Sequence, residues 1–274
     1  MTNRREFLLT SGGIAAGSLL LPCYAAAAPS SNLTLALQTW TFRLFDLDEG
    51  IRKTKQAGVN EIEIAGGITI GGEKKRASAM NAEERKRIKD VLQETGVKAV
   101  SLGGCQGTTQ EFDFAAEFAL QRLQGEPPFE NLVEVSQRAE KYKVRFSLHN
   151  HAKPNKYWDY RETLKRLDNC TPFIGFCPDT GHFIRSGLDP LQTVKDLKGR
   201  IFEIHLKDLN IPDNKDGKAN LHDVPWGTGQ GKVKDILHLL SEEKTAVSVI
   251  IEYEYHWEDN LDEVKQCVSF FRNI

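Results

Sequence analysis

Phe129-Glu-Asn-Leu-Val-Glu-Val-Ser-Gln-Arg-Ala-Glu-Lys-Tyr142, a single lysine, then Val144-Arg-Phe-Ser-Leu-His149 is the stretch on which the fold turns. In its first part the apolar residues Leu132, Val135, Ala139 and Tyr142 recur at helical spacing. In its second part Val144, Phe146 and Leu148 alternate with polar residues, which is a strand pattern. A helix handing over to a strand across so short a break is half of a βαβ unit. The same unit repeats in both directions. Upstream, strands are expected at Leu33–Trp40, Val59–Ile64, Val97–Leu102 and, with polar Gln121, Arg122 and Gln124, Leu120–Gly125. Helices are expected at Asp48–Ala57, Ala82–Glu94 and Glu111–Phe118, the first two ended by Gly58 and Gly96. Downstream come strands Phe173–Pro178, Ile201–His205 and Val247–Tyr253 and helices Tyr160–Leu167, Pro190–Leu197, Val233–Ser241 and Leu261–Phe271.

Eight strands, each followed by a helix, predict an α/β protein with a parallel sheet, and their number predicts a single (β/α)8 TIM barrel over residues 30–274. No glycine-rich dinucleotide turn follows the first strand, which counts against an open doubly wound sheet. Residues 1–29 stand apart. Arg4-Arg5 precedes Phe7-Leu8, an apolar run reaches Leu21, and small residues from Tyr24 to Ala28 offer a cleavage site. The paired arginines mark a twin-arginine signal, so an exported, periplasmic protein is expected. Cys23 offers a lipoprotein reading that the preceding Pro22 disfavours, and no stable membrane association is expected.

Of 274 residues 40% are hydrophobic and 27% charged, and 36 basic against 38 acidic side chains leave a net charge of −2. Such a balance does not indicate the basic footprint of a nucleic-acid binder, and no nucleic-acid partner is expected. Cys105, Cys170, Cys177 and Cys267 form no metal-binding spacing and read as free thiols in a large core.

In a (β/α)8 barrel the chemistry sits where strands end. The polar residues there are Glu63, Glu126, His149 with His151, Asp179 with His182, His205 with Lys207, and Glu252 with Glu254. Four consecutive strands thus deliver His149, Asp179, His205 and Glu252 to one rim. Two imidazoles and two carboxylates suit one divalent transition metal, with Mn²⁺ the first choice and Zn²⁺, Co²⁺ or Fe²⁺ the alternatives. Any one of these histidines alone reads as an ordinary hydrogen-bonded core residue.

Val144-Arg-Phe-Ser-Leu-His149-Asn-His151, Cys177-Pro-Asp179-Thr-Gly-His182, Ile204-His205-Leu-Lys207-Asp208 and Ile251-Glu252-Tyr-Glu254 together resemble the sugar phosphate isomerase/epimerase branch of the xylose-isomerase-like barrels. The loop Asp223-Val-Pro-Trp226-Gly227-Thr-Gly229-Gln-Gly231 and the run Glu126-Pro-Pro-Phe-Glu130-Asn131 are similar too. The resemblance implies the same four metal ligands. Many relatives carry a glutamate where this chain has His149, which makes this site less anionic. By position, Glu126 is the candidate general base and His151 and His182 candidates for proton transfer or hydroxyl binding. Lys207 is the candidate oxyanion stabiliser. Trp40, Trp226 and Trp257 are candidate sugar platforms, and Glu63, Glu254 and His256 further substrate-binding candidates.

The function expected is isomerisation or epimerisation of an unphosphorylated sugar or keto-sugar, by proton abstraction next to a metal-bound carbonyl. Export argues against cytosolic sugar phosphates. The runner-up is a lyase or hydratase that acts on 3-keto-glycosides by β-elimination, and a non-catalytic sugar-binding protein is the reading outside enzymology. An apurinic-site endonuclease would need more histidine ligands and a basic rim.

Overall fold

The computed structural model describes residues 32–210, 220–242 and 246–274, so the expected signal segment, with Arg4, Arg5 and Cys23, lies outside the described residues. Eight parallel strands form one sheet: β1 (Leu33–Gln38), β2 (Glu61–Ile64), β3 (Lys98–Cys105), β4 (Arg122–Gly125), β5 (Arg145–His149), β6 (Ile174–Cys177), β7 (Glu203–Leu206) and β8 (Val247–Ile251). Their order is β6-β5-β4-β3-β2-β1-β8-β7. Parallel bridges Phe176↔Ile201 and Asp179↔His205 join β6 to β7 and nearly close the ring. The fold is the expected (β/α)8 barrel.

The helices are α1 (Leu47–Gln56), α2 (Ala82–Thr95), α3 (Thr109–Glu117), α4 (Leu132–Tyr142), α5 (Tyr160–Leu164), α6 (Thr180–Arg185), α7 (Pro190–Asp196), α8 (Val233–Ser241) and α9 (Leu261–Arg272). Among the described residues no helix is long and apolar enough to cross a membrane. In α4 the buried positions are Leu132, Val135, Ser136 and Ala139, the stripe that the spacing predicts. Capping boxes start α2 (Asn81 with Glu84) and α3 (Thr108 with Glu111), and Pro190 follows the Asp189 cap of α7.

The polarity of β4 has a structural cause. Arg122 and Gln124 point into the barrel, where Arg122 Nε donates to buried Glu203 Oε2 at 3.0 Å and Gln124 Oε1 accepts from Gly104 N at 3.0 Å. A parallel barrel strand reads as continuous apolar sequence only where its interior side is apolar. Gly125 in the same strand is required: a Cβ there would lie 1.9 Å from the Cys105 carbonyl oxygen on β3.

Three features exceed the expected alternation. An antiparallel hairpin, Gly67–Ile70 with Glu73–Arg76, follows β2. Its two-residue turn, Gly71-Gly72, has φ of 60° and 79°, the left-handed geometry such hairpins demand. A short ladder pairs Asp208–Leu209 with Asp223–Val224, and α6 begins directly after Asp179. The expected helix from Phe129 starts instead as a 3-10 turn, and α5 stops at Leu164. Cys105, Cys177 and Cys267 are buried and Cys170 half-buried, all as free thiols.

Candidate metal centre and its cleft

Each candidate ligand is placed by a strand end. His149 ends β5, Asp179 follows β6 by two residues, His205 lies within β7, and Glu252 follows β8 by one. Closure of the barrel aligns two of them, since His205 N donates to Pro178 O at 3.0 Å. One ligand atom from each of the four residues lies within 4.8 Å of the other three, and all four residues are buried.

The polar atoms fit a cation. Asp179 Oδ1 caps α6 by accepting from His182 N at 2.8 Å, while Asp179 Oδ2 is buried without a hydrogen-bond partner. His149 Nε2 is likewise buried and unpartnered, 3.8 Å from that same oxygen. Lys207 Nζ, 3.3 Å from Asp179 Oδ2, offsets that oxygen's charge, but the facing imidazole nitrogen has no partner, which is costly unless a charged or polar group joins it. His205 is buried with Nδ1 3.1 Å from Glu252 Oε2 and Nε2 2.9 Å from Glu63 Oε1. Burial disfavours its charged form, but Cys177, Glu63 and Glu252 outweigh that and raise its pKa.

Glu63 was expected to touch substrate, and its position corrects that. Its side chain is completely buried, and it holds His205 while accepting from Gln38 Nε2 at 3.0 Å. A carboxylate on the far nitrogen of a ligating histidine fixes ring orientation and tautomer. Lys207 is corrected in the same way. Its ammonium is fully buried, 3.3 Å from Asp179 Oδ2 and 2.9 Å from Glu252 Oε2, and it donates to Glu254 Oε2. It balances carboxylate charge rather than facing substrate.

A cleft of 440 Å³ opens beside these residues, lined by Trp40, Glu126, His149, His151, His182, Glu252 and Glu254 among others. Trp40 Nε1 donates to Glu254 Oε1 at 3.1 Å, which ties the expected platform to the rim. Glu126 Oε1 is 2.7 Å from His151 Nδ1 and Oε2 accepts from Asn155 Nδ2 at 2.9 Å. Burial pushes the Glu126 carboxyl up, but contact with His149 and His151 outweighs it and holds the group below the usual carboxylate range. His182 moves the other way. Burial first, then the charges of Lys207 and His149, outweigh the attraction of Asp179 and push its pKa down to about 3. A neutral imidazole of such low basicity suits hydroxyl binding better than proton transfer.

Two expected substrate-binding residues, the platform candidate Trp226 and the rim candidate His256, lie elsewhere. Trp226 is buried in the core with Nε1 donating to Leu206 O at 3.0 Å. His256 is exposed and pairs with Glu263 at 3.0 Å, outside the cleft. Conversely, Gln38, Arg43, Arg76 and Gln124 line the cleft and were not foreseen. Gln38 and Gln124, polar at strand ends, carried the signal that selected Glu63 and Glu126; Arg43 and Arg76, on a loop and the hairpin, carried none.

A family model described as a xylose isomerase-like TIM barrel matches residues 128–274. Among curated proteins none matches the chain. Several solved structures share the fold. A probable 3-DHS dehydratase, AsbF, from Bacillus anthracis is 16% identical, with a TM-score of 0.68 over 88% of this chain and 99% of that one. A sugar phosphate isomerase/epimerase from Parabacteroides distasonis is 17% identical, with a TM-score of 0.60 over 89% of this chain and 95% of that one. A xylose isomerase-like TIM barrel protein from Mycobacterium smegmatis in complex with magnesium is 13% identical, with a TM-score of 0.71 over 88% of this chain and 95% of that one.

Proposed function

Because the chain belongs to the xylose isomerase-like TIM barrel family, we propose that it is a metal-dependent enzyme that removes a proton next to a carbonyl of an unphosphorylated sugar or keto-sugar. The observation that carries this reading is the convergence of His149, Asp179, His205 and Glu252 from four consecutive strands, with their ligand atoms within 4.8 Å of one another. These four residues would hold the ion, Mn²⁺ by first choice. When bound, it supplies a Lewis acid that makes the carbon beside a carbonyl more acidic.

The remaining steps belong to the protein. Glu126, ionised at neutral pH and on the cleft wall, takes the proton; its hydrogen bonds from His151 and Asn155 fix the direction in which it is offered. Trp40 and Glu254 hold the ring and its hydroxyls, and neutral His182 adds a hydrogen bond. Glu63 and Lys207 keep His205 and the carboxylates in register from below. Isomerisation or epimerisation follows when the proton returns. Dehydration, the activity ascribed to the probable 3-DHS dehydratase AsbF of the same fold, makes elimination from a 3-keto-glycoside the second reading, since it shares the first step. The paired arginines of the N-terminal segment support export by the twin-arginine route, which favours a substrate without phosphate.

Proton NMR of candidate sugars and 3-keto-glycosides in D₂O with metal-loaded protein tests the reading. Exchange of one carbon-bound hydrogen is expected, and Glu126→Gln should slow it by about 10²–10⁴-fold with metal content unchanged. If the variant loses its metal, Glu126 is a ligand. If it keeps metal and full exchange, the base lies elsewhere and His151 is next.

A further inference from the structure

Beside the metal cleft lies a second hollow of 590 Å³, between the loop that leads from β1 into α1 and the hairpin Gly67–Arg76. Trp40, Arg43, Gly67 and Arg76 line both spaces, so the two adjoin. Their walls differ in kind. The cleft is edged by carboxylates and imidazoles, whereas the hollow is walled chiefly by Phe42, Leu44, Phe45, Leu47 and Ile68, with Asp46, Lys74 and Lys75 also in its lining. Leu44 keeps 55% of its surface exposed, a large apolar side chain left open at this place. Ligand sites of drug-sized molecules occupy roughly 300–1,000 Å³ and are mostly apolar with a few placed polar groups, so the hollow by itself is the size of a binding site.

Arg43 stands at the junction. Its guanidinium carbon lies 3.4 Å from the Trp257 ring centroid and 5.0 Å from that of Trp40, so two indoles hold it in place. Among the described residues no carboxylate pairs with its guanidinium and no side chain or carbonyl accepts from the guanidinium N–H groups, while its backbone N–H donates to Trp40 O at 3.0 Å. Arg76, by contrast, is engaged by Glu111 at 3.1 Å and by the Gly104 carbonyl at 2.6 Å. A guanidinium fixed by packing, with its donors unspent, is suited to an oxygen on a flat group.

We propose that this hollow is a second subsite of the same active site and receives a planar aromatic group bearing an acceptor oxygen, joined to the sugar that occupies the cleft. It rests on the metal-dependent reading above for the sugar half only. The aromatic group lies against the Phe42, Phe45 and Leu44 wall, and Arg43 donates to its oxygen. The inserted hairpin, which a (β/α)8 barrel does not need for closure, supplies the opposite wall through Ile68.

Calorimetric binding to the metal-loaded full chain tests this, with the 4-nitrophenyl and methyl β-D-glucopyranosides and β-D-galactopyranosides as probes. The aryl member of a pair is expected to bind at least about tenfold tighter than the methyl member, the factor a stacked and desolvated ring supplies. Leu44→Ser should shrink that ratio while leaving methyl-glycoside affinity, metal content and thermal midpoint as in the parent, and Arg43→Met should shrink it with metal content unchanged. Leu44 is exposed, so its variant reads the subsite without endangering the fold. Equal aryl and methyl affinities, no detectable binding of either, or an aryl advantage that both variants leave intact would each overturn the subsite. Failure of the metal reading shows separately, as absent metal or absent D₂O exchange beside an intact aryl-to-methyl ratio.

Discussion

Replacing Lys207 by methionine tests the electrostatics of the centre independently of any substrate. Methionine keeps most of the side chain's length and removes the ammonium. That ammonium lies 2.9 Å from Glu252 Oε2 and 3.3 Å from Asp179 Oδ2 and also binds Glu254. With an effective dielectric constant near 20, each of the two measured pairs is worth about 5–6 kcal/mol of gross attraction, against which stands the cost of burying the charges. Removing one partner leaves the carboxylates buried and uncompensated, a loss of about 3–5 kcal/mol. For a domain of this size roughly 2–4 °C per kcal/mol applies, so the metal-free variant should melt about 6–20 °C below the parent. Burial opposes the Lys207 charge, but Asp179, Glu252 and Glu254 outweigh it and raise its pKa. A raised lysine pKa gives stability that is complete below the ordinary lysine range, near 10.4, and lost only as pH rises through the folded value. A measurement at pH 7 therefore sees the full effect. Near-ultraviolet circular dichroism in chelator and in excess MnCl₂, at one scan rate, is the assay. Added metal should recover part of the loss, because a divalent cation neutralises the same oxygens. A metal-free midpoint within about 2 °C of the parent, or a loss that metal does not lessen, refutes the assignment of Lys207 as counter-charge.

Asp179→Asn keeps an acceptor for the α6 cap yet removes a charge, and Glu252→Gln does the same at β8; elemental analysis should show at least about tenfold weaker metal retention in both. Full occupancy would strike these residues from the ligand set. Gly125→Ala drives a Cβ to 1.9 Å from the Cys105 carbonyl, backbone against backbone, and should cost about 3 kcal/mol or more, read as a lower thermal midpoint or loss of soluble protein. An unchanged midpoint would mean that β3 and β4 can part without penalty. Arg4→Lys with Arg5→Lys should leave uncleaved precursor inside the cell on fractionation, and normal export of that double variant would point to a general secretory signal.

That four of the candidate residues share one rim was legible because barrel geometry ties a local property to a global place. A polar residue after an apolar strand in a parallel barrel lies on one rim whatever the helices do, so His149, Asp179, His205 and Glu252 come together from pattern alone. Depth below that rim was not legible. Glu63 and Glu126 look alike in sequence, each a carboxylate at a strand end. Glu63 lies inside β2 and is buried against His205, while Glu126, one residue past β4, reaches the cleft. The hairpin after β2 had a readable signal in Gly71-Gly72 between Ile68-Thr-Ile70 and Glu73-Lys-Lys75, obscured because its second strand is charged and exposed.

Alternation of strand and helix, the eightfold count and the chemistry at the strand ends are properties of short segments, set by side-chain periodicity and caps. For that reason the sequence alone determined the barrel and the residues that approach its rim. Partnership between distant segments is different, because it depends on register and tilt, which no local pattern encodes. Tertiary structure alone decided that Lys207 is a buried counter-ion 47 residues from Glu254 in sequence, that Trp226 belongs to the core, and that Arg43 packs on two indoles where the candidate cleft adjoins a mostly apolar hollow.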